Sequence, residues 1–228
     1  MRRILREIAY DLREPGIHIS MLPIAAATFV LLAVFVQEHL TQAGRINIVT
    51  LPMLETLIPT LGGYGALMLM QGLTDKDGGD ILFTYRRSIL YWGLIRQFRF
   101  FALFSLLVAM VCLCISAIMQ IDLPMIFILT LAQSFAVMAV AFLGISVSRD
   151  ISIGLIIFVA FIGVQILLGT EFEFFNFIYV LDGNLSIVAG RYGVVVYNSL
   201  IIGTFCWGIG QLWLHPAGSR ATKRPRKQ

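Results

Sequence analysis

The chain has 228 residues, of which 58% are hydrophobic and 13% charged, with a mean hydropathy of +0.86. Soluble domains carry about 25% charged residues, so half that share excludes an ordinary water-soluble domain and points to lipid as the solvent. The formal net charge of +4 comes from cations at the ends of apolar runs. There they act as headgroup anchors, not as a nucleic-acid surface.

Residues 1–12 place Ile4, Leu5, Ile8, Ala9 and Leu12 on one helical face and Arg3, Arg6, Glu7, Tyr10 and Asp11 on the rest. That pattern belongs to a helix lying in the headgroup plane; an ordinary charged anchor is the other reading of the same residues. Pro15 and Gly16 then turn the chain, so residues 1–16 are expected as an interfacial elbow. Glu7, Asp11, Glu14 and Pro15 separate the basic start from the first apolar run, which argues for an uncleaved first span.

A helix needs roughly 20 apolar residues to cross a hydrocarbon core. Six segments meet that length: 19–36, 48–70, 100–119, 123–147, 151–168 and 192–214. Unbroken apolar runs lack the alternation of a membrane barrel, so the spans are expected to be helices. Lys and Arg set the orientation. Fifteen of the 17 fall on one side, and only Arg45 and Arg191 on the other. Both ends of the chain are therefore expected in the cytoplasm.

Glu55 is the one formal charge within these segments, and Pro52 and Pro59 flank it. An intramembrane carboxylate usually faces a bundle interior or a wet cavity, and prolines kink a helix. Glu55 is therefore expected on a substrate path or dimer seam, with a hydrogen-bonded structural Glu as the alternative. Gln133, Gln165 and Asn198 are read as helix-to-helix hydrogen bonders. The pairs Gly62/Ala66 and Ala132/Ala136 are read as points of close helix approach. Cys112, Cys114 and Cys206 are expected as inert buried thiols, and Cys112 and Cys114 lie on different helix faces.

Three stretches outside the spans are informative. Residues 72–99 form the largest connection on the basic side. The turn-rich Asp75-Lys76-Asp77-Gly78-Gly79-Asp80 precedes an apolar-aromatic run, Ile81-Leu82-Phe83-Thr84-Tyr85, which ends in Arg86-Arg87. Asp80 is suited to cap that helix. An apolar knob facing water needs something packed on it, either headgroups or a partner protein. Little more than Arg149-Asp150 separates the fourth and fifth spans, which implies a tight hairpin. Residues 169–191, opposite, hold an aromatic run too short to span, suited to short external re-entrant helices, with Asp182-Gly183-Asn184 as the turn before a second short piece at 185–189. Residues 216–228 form a basic cytoplasmic tail.

In this order the pieces resemble the type-2 ABC exporter permease family. That family has an elbow closing on a basic-acidic-Pro pattern, matched here by Arg13-Glu14-Pro15. Between its second and third spans it carries an acidic residue, glycine and a hydrophobic helix, matched by the run from Asp77 to Ser88. A pair of short external helices precedes its last span, matched by residues 169–191. Two positions depart from the pattern: Asp77 stands where Glu is frequent, and Arg86-Arg87-Ser88 where the family has a Pro-containing turn.

The resemblance implies an all-α membrane protein with six transmembrane helices, an elbow helix and a cytoplasmic coupling helix. Asp77, Asp80, Ile81, Leu82, Phe83, Tyr85, Arg86 and Arg87 would dock on an ATPase, and Glu55 would lie on the substrate path. It implies a permease in the cell membrane, not an enzyme, paired with a second copy or a sister permease. ATP and Mg would be bound by a separate ATP-binding-cassette ATPase and no cofactor by this chain, which has no Gly-x-x-x-x-Gly-Lys-Ser/Thr loop. The sparse polar residues in the spans favour an amphipathic or hydrophobic cargo.

Two other classes are compatible with six spans. One is a membrane-embedded lipid-metabolism enzyme, though Asp75, Asp77 and Asp80 lack the Asp-Gly-x-x-Ala-Arg pattern and a second acidic cluster. The other is the substrate-binding component of a modular ABC importer. His18, His39 and His215 sit at span ends, so no intramembrane histidine base is expected.

Overall fold

A computed structural model describes residues 47–71, 90–119, 123–168, 179 and 185–221. Apart from Met70, the pair 149–150 and Tyr179, all of these are helical. The helices are α1 (Asn47–Leu69), α2 (Arg96–Met119), α3 (Leu123–Ser148), α4 (Ile151–Gly163) and α5 (Leu185–Ala221). A π-helical turn, Tyr91–Ile95, leads into α2, and a second, Val164–Leu168, closes α4. The expected elbow and first span, and residues 72–89 of the long connection, lie outside the described residues.

Among the described residues, three helices are long and apolar enough to cross a bilayer: Gly93–Cys114, Pro124–Ser148 and Gly190–Leu214. This makes the chain a membrane protein. α1 has 23 residues, but Glu55, the two prolines and Gly62, Gly63 and Gly65 dilute its apolar character. The apolar stretch ending α4, Ile151–Leu167, is shorter than a full span.

α3 is the axis of the bundle. Some 72% of its apolar window is buried inside the protein, against 28% for those of α2 and α5. Small residues let its neighbours approach. A Cβ on Gly203 of α5 would overlap the Phe135 ring and stand 3.4 Å from the Ala136 backbone. Seven residues on, a Cβ on Gly210 would meet Phe142 and the Leu143 backbone in the same way. This shared seven-residue spacing makes α5 and α3 parallel neighbours. On α1, Gly62 meets Met138 and Phe104, Gly63 meets Val137 and Phe158, and Gly65 meets Phe100. The expected pairs Gly62/Ala66 and Ala132/Ala136 are thus buried where helices meet. Phe101, Phe135 and Trp207 join α2, α3 and α5 through ring contacts of 5.0–6.3 Å.

The α3–α4 hairpin turns on two residues, as the charged pair in the sequence implies. Arg149 adopts a left-handed φ of 53°, and its N–H donates to the Ile145 carbonyl at 2.8 Å. This is the single-bond αL stop for a helix, usually made by glycine. The extended Asp150 then caps α4, its Oδ1 accepting from the Ser152 and Ile153 N–H groups at 2.7 and 3.2 Å. One turn inward, a Cβ on Gly154 would stand 3.3 Å from the Ile145 backbone, so the two helices touch at their base.

Two expected boundaries and one expected burial differ. The third span was expected to begin at residue 100, because Arg96 and Arg99 read as flanking anchors. In fact α2 starts at Arg96, and Arg96 is buried. The second short external piece, expected near 185–189, is the opening of α5, which runs unbroken for 37 residues. Cys112 is buried as expected, but Cys114 is exposed on the apolar face of α2; all three cysteines are free.

Two substitutions test the hairpin. Asp150→Ala should cost about 1 kcal/mol through loss of the cap, while Asp150→Asn keeps most of it. Arg149→Gly should stabilise by about 1 kcal/mol by relieving the left-handed backbone. Thermal unfolding of the purified protein in detergent reads both.

Candidate functional site

The buried polar side chains fall into two groups along α3. The helix registers place the first. Gly62 and Gly65 face Phe104 and Phe100, so α1 runs antiparallel to α2, and therefore parallel to α3. With Gly62 and Gly63 opposite Met138 and Val137, Glu55 lies two turns earlier, level with Thr130. Gly144 and Gly154 approach across the hairpin. Eleven residues further from the turn on each helix, about three turns, come Gln133 and Gln165. Ser199, four residues before Gly203, reaches the same height.

Glu55, Thr130, Gln133, Ser134, Gln165 and Ser199 are all at most 2% exposed. They form one transverse layer roughly 6 Å thick, starting roughly 10 Å from the far end of α3. Helices in hydrocarbon bury polar side chains against one another because no water is there to serve them. Glu55 shares a face of α1 with Gly62 and Ala66, the face turned into the bundle. Pro59 has no N–H for the Glu55 carbonyl, which places the helix irregularity at this height. Thr56 donates to the Pro52 carbonyl at 2.8 Å.

α4 and its π-helical turn, described as far as Leu168, reach the same layer. Tyr179, which is not helical, is fully buried beside Thr60 and the Glu55 carboxyl. Thr60 lies thirteen residues into α1, which sets the depth of Tyr179 in the bundle. Irregular backbone at such depth is tolerated only when it is buried in protein. Glu55, Gln133, Gln165 and Tyr179 each have a partner. One carboxyl among amides and hydroxyls suits a proton or a hydrogen-bond-donating group and disfavours an anion.

The second group lies near the α3–α4 turn: Arg96, Gln97 and Ser146, all buried. Gln97 Nε2 donates to the Ala66 carbonyl at 2.8 Å. Gln211 Oε1 accepts from the Leu94 N–H at 2.9 Å. The Arg99 guanidinium lies 4.8 Å over the Tyr91 ring.

No known family, curated protein or solved structure matches this chain.

The expected coupling residues Asp77, Asp80, Ile81, Leu82, Phe83, Tyr85, Arg86 and Arg87 lie outside the described residues. Glu55 is described and is enclosed within the chain's own bundle. No group of three or more metal-ligating side chains occurs among the described residues. Sequence reasoning missed Tyr179, Gln211 and the burial of Arg96. Gln211 carried a usable signal, being a carboxamide in the last apolar run. Tyr179 carried none, as one aromatic residue in an aromatic-rich stretch.

Proposed function

We propose that this chain is the transmembrane permease subunit of an ATP-binding-cassette exporter. The observation that carries the reading is the run from Asp77 to Arg87, an apolar-aromatic segment framed by an acidic turn and two arginines. It lies on the side that holds fifteen of the 17 Lys and Arg residues. An apolar segment there needs a partner surface, and a nucleotide-binding cleft is the partner that the resemblance implies.

The complete topology in this reading has six spans, with both termini in the cytoplasm of the cell membrane. The three long apolar helices, the tight α3–α4 hairpin and the buried Tyr179 are compatible with it. The permease works as a homodimer or beside a sister chain, with ATP and Mg held by two separate ATPase subunits. Glu55 and the polar layer serve the path of an amphipathic or hydrophobic cargo. An isolated charge here costs about 2.5–3.5 kcal/mol on insertion scales, and a transport role accounts for its presence.

The double variant Phe83→Ala/Tyr85→Ala should lower recovery of the ATPase with the purified permease by about tenfold or more, as aromatic anchors usually do. Unchanged recovery from a well-folded variant would overturn the proposal. Glu55→Gln keeps the shape and removes the charge. It should leave ATPase recruitment intact and reduce export, measured as cargo accumulation in inverted vesicles.

A further inference from the structure

Two unusual hydrogen bonds mark the described residues on either side of the connection between α1 and α2. At its exit, the Met70 N–H donates to the Leu67 carbonyl at 3.1 Å, three residues back instead of four. That choice releases the Ala66 carbonyl, which Gln97 Nε2 of α2 takes at 2.8 Å. At its entry the backbone is π-helical over Tyr91–Ile95, a geometry that displaces helical hydrogen bonds and recurs at functional sites. The Leu94 N–H points out of the helix to Gln211 Oε1 of α5 at 2.9 Å.

Gly93 makes this second bond possible. A Cβ there would lie 2.3 Å from Gln211 Oε1 and 3.0 Å from Leu214 Cδ1. Next to it, Phe98 packs edge-on against Trp207 of α5, with centroids 4.1 Å apart. Arg99 over Tyr91 ties the first turn of this entry to the helix that follows.

We propose that the π-helical turn, clamped by Gln211, is the joint through which displacement of the connection reaches α5. Gln211 is the positioning residue. Gln97 fixes the exit of the connection to α2, so a push on the connection moves α1 and α2 together. Gln211 passes that movement to α5, the helix packed along α3. The transmission role rests on the proposed permease reading, in which the connection is the handle gripped by the ATPase. The joint itself does not.

Amide hydrogen exchange on the full chain in lipid nanodiscs tests the joint without any partner. Gln211→Met removes the acceptor and should speed exchange at Leu94 on the order of tenfold. Gln211→Glu retains an acceptor oxygen and should stay near the wild type, while Gly93→Ala should resemble Gln211→Met. Tyr91→Ala, which loosens the entry, should raise exchange across residues 207–214 in the wild-type background. It should not do so in the Gln211→Met background. An equal response of α5 in both backgrounds overturns the proposal, as does unchanged exchange at Leu94 in Gln211→Met. A wild-type chain that recruits no ATPase would instead count against the permease reading and leave these exchange results standing.

Discussion

Hydrocarbon offers nothing for a polar group to bond, and that constraint shapes this molecule. Backbone donors are satisfied within helices, and the few polar side chains must find one another across helix interfaces. α3 is where they meet. It is buried around most of its surface, while α2, α4 and α5 keep outward faces of Leu, Ile, Val and Phe. The protein is therefore built from the centre outward, with polar contacts inside and apolar surface outside.

Two polar levels result, and each coincides with an interruption of regular helix. At the inner level Pro59 withholds a donor from the Glu55 carbonyl, and Tyr179 is buried beside Thr60. Near the hairpin the entry to α2 is π-helical, and its Leu94 amide is served by Gln211 from a helix far along the chain. Such discontinuities give a bundle places to move, since an unbroken helix transmits force but bends little. In the permease reading, one level lies on the cargo path and the other beside the handle.

Some of this was legible in the sequence. Arg149-Asp150 announced the hairpin because two charges interrupt a long apolar run, and only a turn explains them there. Glu55 stood out for the same reason, and the small pairs on α1 and α3 fell where helices touch. The start of α2 was misjudged because arginines usually mark the end of a span. Arg96 is instead enclosed by its neighbours, and hydropathy cannot distinguish a buried arginine from an anchoring one. The continuity of α5 was hidden by Asp182-Gly183-Asn184, which marked a break but not how soon the helix begins after it. Tyr179 and Gln211 act through partners distant in sequence, Thr60 and Leu94, and no local pattern encodes such a pairing.

The account stands or falls on what touches the aromatic knob between α1 and α2. A photo-crosslinking amino acid placed at Phe83, activated in intact cells and followed by mass spectrometry of the adduct, addresses this directly. Capture of an ATP-binding-cassette ATPase at its nucleotide-binding subunit is the predicted result. Adducts confined to this chain's own helices, or to proteins on the opposite side of the membrane, would contradict it.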